Sequence, residues 1–127
     1  MLSPDPTLYF DHRQGSSPAE PPGRGALLTL EDVYRFDPLP GTLARDAHHV
    51  LGIQGNLWTE LVPNLNHAEY MIFPRLTAMA EVDWSVKSSR NFEDFSRRLQ
   101  IQCKRFDQLG VNYRRNSTNE STANSSN

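Results

Sequence analysis

The chain has 127 residues, of which 37% are hydrophobic and 22% charged, with a formal net charge of −2. That balance suits a folded domain with a core. It supplies neither the basic stripe that nucleic acid requires nor the charge excess that draws a protein to an anionic membrane. No apolar run approaches the roughly 18 residues of a membrane-spanning helix, and residues 1–6 lack the basic-then-apolar pattern of a secretory leader, which would have to stand on a longer parent chain.

In chain order, Leu8-Tyr9-Phe10 forms an extended apolar patch that ends in Asp11 and closes at Gly15. Residues 16–25 are dense in Pro, Gly and Ser and read as a loop. Thr29 offers an N-cap to a short helix with Leu30, Val33, Tyr34 and Phe36 on one side, and Pro38 and Pro40 stop it because proline removes a donor and clashes with the preceding turn. Val50-Leu-Gly-Ile-Gln-Gly55 reads as a buried strand running into Asn56-Leu-Trp-Thr-Glu60, its two glycines implying close approach of another backbone or a ligand.

Asn66, with Glu69 three residues on, has the spacing of a capping box, and the helix it starts is expected to reach about Trp84 with a kink or irregular first turn at Pro74. Its buried face is expected to be Ile72, Phe73, Leu76, Met79 and Ala80. Asn91 caps a further helix with apolar positions Phe92, Phe95, Leu99, Cys103, Phe106 and Leu109, and Gly110 stops it. Val111-Asn112-Tyr113 is expected to dock as a short extended piece. Residues 116–127 are too polar to offset the entropy of ordering and read as a disordered tail, in which Asn116, Asn119 and Asn124 fit the glycosylation pattern.

Strands alternating with helices point to parallel βα units. Two strands do not close a sheet, so residues 1–115 are expected to be the C-terminal portion of a larger domain whose N-terminal part is missing. Cys103 is the only cysteine, which excludes an internal disulfide, and its place on an apolar helix face makes it a small hydrophobe. His48 and His49 are adjacent and would face opposite ways on an extended segment, and His12 and His67 have no partner at helical spacing. No metal site and no nucleotide-binding motif is expected.

In parallel βα architectures ligand contacts gather at the C-terminal ends of strands. Two pairs stand there, Tyr9 with Asp11 and Trp58 with Glu60, each an aromatic and a carboxylate two residues apart. Sugars call for that combination, since a pyranose face stacks on an aromatic ring while a carboxylate accepts from its hydroxyl rim. Strand alternation would aim both members of a pair into one pocket. Singly, each has a structural alternative: Trp58 and Tyr9 as packing residues, Glu60 as a first-turn acid, Asp11 as a turn former.

Val50-Leu-Gly-Ile-Gln-Gly-Asn-Leu-Trp-Thr-Glu60 followed by Glu69-Tyr-Met-Ile-Phe-Pro-Arg-Leu-Thr-Ala-Met-Ala-Glu-Val-Asp-Trp-Ser85 closely resembles the last strand and helix of glycoside hydrolase family 20 β-N-acetylhexosaminidases. Residues 3–11 resemble their seventh strand, residues 33–40 the connecting helix and loop, and residues 106–113 the closing segment. The resemblance implies an α/β fold, namely the last two βα units of a (β/α)₈ TIM barrel with a closing helix. It implies hydrolysis of terminal non-reducing N-acetylhexosamine from glycans or glycoconjugates, with no cofactor and with the substrate's own acetamido oxygen as nucleophile. It implies that Tyr9 bonds the acetamido group, Asp11 lies near the sugar hydroxyls, Trp58 walls the −1 pocket, and Glu60 accepts from O4 and O6. Members of the family are often secreted, periplasmic or lysosomal. The family's catalytic Asp-Glu pair sits in a His-x-Gly-Gly-Asp-Glu motif, and no Asp-Glu dipeptide occurs in this chain. The chain taken alone is therefore expected to be inactive. A non-catalytic sugar-binding or interaction module that keeps half a pocket is the alternative.

Overall fold

In the computed structural model, which describes residues 1–115, the two expected strand segments run side by side and parallel. Leu2 bridges Ile53 and Tyr9 bridges Asn56, through Leu2 N–H to Gly52 O at 2.9 Å, Gln54 N–H to Leu2 O at 2.8 Å and Asn56 N–H to Leu8 O at 2.8 Å. The polar tail and its sequons lie outside the described residues.

The pairing is parallel as expected, but it consists of isolated bridges rather than continuous strands. Pro4 and Pro6 carry no N–H, so residues 4–7 loop out between the two bridges. Gly52, at φ 150°, interrupts the pleat of the other segment, leaving Leu51 87% exposed while Ile53 is buried. The fully buried run expected at residues 50–55 is thus half open. The close approach expected at the glycines does occur at Gly55, though by side chains: a Cβ there would stand 2.8 Å from the Phe10 ring and 3.1 Å from Met79 Sδ.

Helix α1 spans Leu30–Arg35 and starts at Thr29, which accepts from Asp32 N–H while the Asp32 carboxylate accepts from Thr29 N–H at 2.8 Å. Its buried residues are Leu30, Val33 and Tyr34, as the periodicity predicts, and it packs on the later helix Arg75–Trp84. A 3₁₀ turn, Gly41–His49, then leads back to the second extended segment. At its end His48 and His49 do not face opposite ways: their ring centroids are 3.9 Å apart, because the segment is helical rather than extended.

The expected single helix from Asn66 to Trp84 is two helices, α2 (Leu65–Ile72) and α3 (Arg75–Trp84), separated at Phe73-Pro74. The kink expected at Pro74 is a complete break, since proline disfavours a helical residue before it and Phe73 is extended at ψ 141°. The cap is Asn64, not Asn66, with its side chain accepting from His67 N–H. Glu69 is drawn away from a capping role, because its carboxylate accepts from Asn112 N–H at 2.8 Å. The fully buried face also differs from expectation: it comprises Met71, Pro74, Arg75, Ala78 and Val82, while Ile72, Phe73, Leu76 and Met79 are half-buried and Ala80 is exposed.

Helix α4, Phe92–Leu109, begins at Asn91, which accepts from Asp94 N–H at 2.9 Å, and ends at the left-handed Gly110 (φ 68°). Phe95, Leu99 and Phe106 are buried as expected, whereas Leu109, in the overhanging last turn, is 75% exposed. Cys103 is half-buried, and burial pushes its thiol pKa upward, which suits a packing residue. Tyr113 docks against Phe106 with ring centroids 5.5 Å apart.

The core is organised around an arginine that no hydrophobic pattern reveals. Arg75 is fully buried and donates to the main-chain carbonyls of Phe10 (2.6 Å), His12 (2.9 Å), Leu28 (3.0 Å) and Met71 (3.2 Å). Burial pushes its pKa down to about 9, so the guanidinium remains charged at neutral pH. Its fork ties three chain segments together, and one of them carries Tyr9 and Asp11.

Candidate functional site

A cleft of about 470 Å³ opens beside the two parallel segments, lined by Asp11, Arg24, Trp58, Glu60 and Leu61. Asp11 and Trp58 lie just past the Tyr9–Asn56 bridge on their respective segments, so the pairing brings the two ends to one place. Trp58 is 54% exposed and lines the cleft. Glu60 is exposed and has no ion-pair or hydrogen-bond partner among the described residues. Its carboxylate is therefore available to accept from a ligand hydroxyl.

Tyr9 is placed differently from its neighbours. The strand alternation expected for residues 9 and 11 does not apply, because this stretch is a series of turns: Tyr9 N–H bonds Pro6 O at 3.1 Å and His12 N–H bonds Tyr9 O at 3.3 Å. Tyr9 is half-buried and is not among the cleft-lining residues; its ring faces the Arg24 guanidinium, with Cζ 5.3 Å from the centroid. Asp11, Trp58 and Glu60 thus share the cleft, and Tyr9 joins them through Arg24.

Asp11 is 5% exposed, and its Oδ2 lies 2.8 Å from Arg24 Nε. Its Oδ1 is buried with no partner among the described residues. A buried carboxylate oxygen without a donor carries a desolvation cost, so the position of Asp11 is one the local structure must hold. An open indole, a free carboxylate and a second, fixed carboxylate with one unpaired oxygen can together stack an apolar ring face and accept from its hydroxyls. Among the described residues no group of three or more His, Cys, Asp or Glu could hold a metal ion, and no helix is long and apolar enough to cross a membrane.

Arg24 and Leu61 were not legible as cleft residues. Arg24 sits in the loop at residues 16–25, where its signal was present but weak: it is the one cation in that loop, between Gly23 and Gly25. Leu61 carried no signal beyond following Glu60.

The model of the glycosyl hydrolase family 20 catalytic domain matches residues 1–87. A β-hexosaminidase of Porphyromonas gingivalis is 44% identical over 107 residues, covering 84% of this chain. One of Vibrio furnissii is 43% identical over 83 residues, covering 63% of it. Among solved structures, a family 20 exo-β-N-acetylglucosaminidase of Vibrio harveyi in complex with N-acetylglucosamine superimposes with a TM-score of 0.81 at 41% identity over 88% of the chain. A Streptomyces plicatus β-hexosaminidase variant in complex with product gives a TM-score of 0.74 at 29% identity over 86% of the chain. The chain belongs to glycosyl hydrolase family 20, and its fold is a portion of that family's TIM-barrel catalytic domain. It spans 14% of the length of the Porphyromonas relative and 18% of the Vibrio harveyi chain.

Proposed function

We propose that this chain is a fragment of a β-N-acetylhexosaminidase and forms part of the pocket that binds a terminal N-acetylhexosamine. The observation that carries the reading is the meeting of Asp11, Trp58 and Glu60, from segments far apart in sequence, on one open cleft. Trp58 stacks on the apolar face of the sugar ring. Glu60 accepts from O4 and O6, Asp11 lies near the sugar hydroxyls, and Tyr9, beneath Arg24, bonds the acetamido group. These groups bind and position, and fixing a reactive geometry lowers a barrier by several kcal/mol without any bond-making by the residues that do it.

Bond cleavage itself requires a general acid and a carboxylate that orients the acetamido nitrogen. Their Asp-Glu pair has no counterpart in this sequence. In the substrate-assisted retaining reaction the acetamido oxygen attacks the anomeric carbon as the glycosidic oxygen is protonated and leaves. The residues here hold the sugar for that attack, and the chain alone is proposed to be catalytically inert.

The test is a chimera in which residues 1–115 replace the matching segment of the Vibrio harveyi relative, which supplies the rest of the barrel. The expected result is hydrolysis of an aryl N-acetylglucosaminide, with Trp58→Ala raising KM by roughly tenfold or more, in line with the worth of a lost stacking contact. A chimera whose Trp58→Ala and Asp11→Asn variants hydrolyse as well as their parent would overturn the pocket reading.

A further inference from the structure

Arg24 makes a set of contacts that a solvated loop arginine does not need. Its Nε forms an ion pair with Asp11 Oδ2 at 2.8 Å, and its Nη2 lies 3.2 Å from Asp5 Oδ1 and 3.0 Å from His12 Nε2. His12 is 6% exposed, and its Nδ1 faces the Ala26 carbonyl at 3.0 Å. A carbonyl only accepts, so Nδ1 donates to it, while Nε2 stands between Asp5 Oδ1 at 3.1 Å and Arg24 Nη2 at 3.0 Å. The guanidinium is therefore held by Asp5, His12 and Asp11 together. The Tyr9 ring packs against it.

The backbone beneath Arg24 is fixed as well. Arg24 N–H bonds Asp11 O at 2.7 Å, and His12 and Arg24 form a parallel bridge. Gly23 lets the loop pass this closely: a Cβ there would stand 3.0 Å from Asp11 O and 2.9 Å from both Arg13 Cγ and Met71 Cε. Gly25 takes φ 35°, which side-chain-bearing residues rarely adopt. Both neighbours of Arg24 are thus glycines that the local geometry requires. The loop delivers one guanidinium to one place.

We infer that Arg24 is a positioning residue of the sugar pocket: by pairing with Asp11 Oδ2 it fixes where that carboxylate stands at the edge of the cleft. The inference rests on the pocket reading above and adds to it the group that orients Asp11. The same guanidinium also places the Tyr9 ring, so both members of the first aromatic–carboxylate pair are set by one residue outside the pair. With its side chain 43% exposed, Arg24 contributes modestly to stability, because solvent screens the pair. Its effect is expected in substrate handling.

The experiment is a double-mutant cycle on kcat/KM in the chimera, using an aryl N-acetylglucosaminide. Arg24→Ala is expected to lower kcat/KM by about tenfold or more, equivalent to roughly 1.4 kcal/mol, with little change in the thermal midpoint. Combined with Asp11→Asn it should cost little beyond Asp11→Asn alone, since residues acting as a unit are not additive. Should the alanine variant fail to fold, Arg24→Lys, which keeps the charge but lacks the two-edged fork, is expected to lose a few-fold, again only when Asp11 is intact. Losses that multiply in the double variant would overturn the inference while leaving Asp11 in the pocket. An Asp11→Asn variant as active as its parent would overturn the assignment of Asp11 and the inference with it.

Discussion

Arg75, at the start of α3, donates from Nη1 to the main-chain oxygen of His12 at 2.9 Å, so a fully buried guanidinium holds the chain immediately after Asp11. The same side chain reaches Phe10 O at 2.6 Å and Leu28 O at 3.0 Å. These carbonyls belong to irregular segments that no sheet ladder satisfies, and the arginine supplies the missing donors. The side of the cleft that carries Asp11 is therefore fastened from within the core.

Replacing Arg75 by Met keeps a comparable apolar stem and leaves those carbonyls without donors. The expected cost is roughly 3 kcal/mol or more in the chimera, from several unsatisfied buried acceptors. Arg75→Lys should recover less than half, because a single ammonium does not fork between three segments. Urea denaturation checks both; a loss under about 1 kcal/mol for Arg75→Met would show that the carbonyls find other donors.

Gly55→Ala tests the packing between the paired segments and α3. The added Cβ would meet the Phe10 ring at 2.8 Å and Met79 Sδ at 3.1 Å. Overpacking of this kind costs about 1–3 kcal/mol. Because Phe10 stands between Tyr9 and Asp11, kcat/KM should fall as well. An unchanged thermal midpoint would mean that Phe10 and Met79 shift at no cost.

Much of this frame was legible because it rests on local chemistry. Thr29, Asn91 and Gly110 punctuate helices through caps that act within a few residues, and α1 and α4 stand where those signals put them. The cap fell at Asn64 rather than at the expected Asn66, because Asn112, from a distant segment, engages Asn66 and Glu69. Arg75 was invisible for a different reason: buried charge has no periodicity, and its partners are main-chain oxygens that every residue possesses. In the cleft, Asp11, Trp58 and Glu60 could be found by residue type, whereas Arg24 is meaningful only once the loop at residues 16–25 folds back over Asp11.

The isolated chain is expected to give no turnover of an aryl N-acetylglucosaminide. General acid catalysis alone is typically worth 10² to 10⁴ in rate, and no Asp-Glu pair is present to provide it. Turnover by purified chain matching that of the Vibrio harveyi relative would contradict this.

The isolated chain is also expected to self-associate. Leu51, Trp84 and Val86 are 87%, 88% and 71% exposed, and Leu51 and Trp84 flank the place where Gly52 approaches Asp83. Large apolar side chains displayed together favour association. Sedimentation at rising concentration should show growth in mass, reduced by Leu51→Glu and Trp84→Glu; a monomer at all concentrations would count against it.

The central claim is that the cleft binds a sugar through Glu60, and the most direct measurement is kcat/KM of the Glu60→Gln chimera on intact and deoxygenated substrates. The amide keeps the shape and removes the charge, which weakens charge-assisted bonds by about half. Glu60→Gln is expected to lower kcat/KM on the intact sugar by about 10², roughly 2.7 kcal/mol of transition-state binding. The fall should be much smaller on substrates lacking the O4 or O6 hydroxyl, whose partner is already absent. A Glu60→Gln enzyme that matches its parent on the intact sugar, or that loses equally on all three substrates, would contradict it.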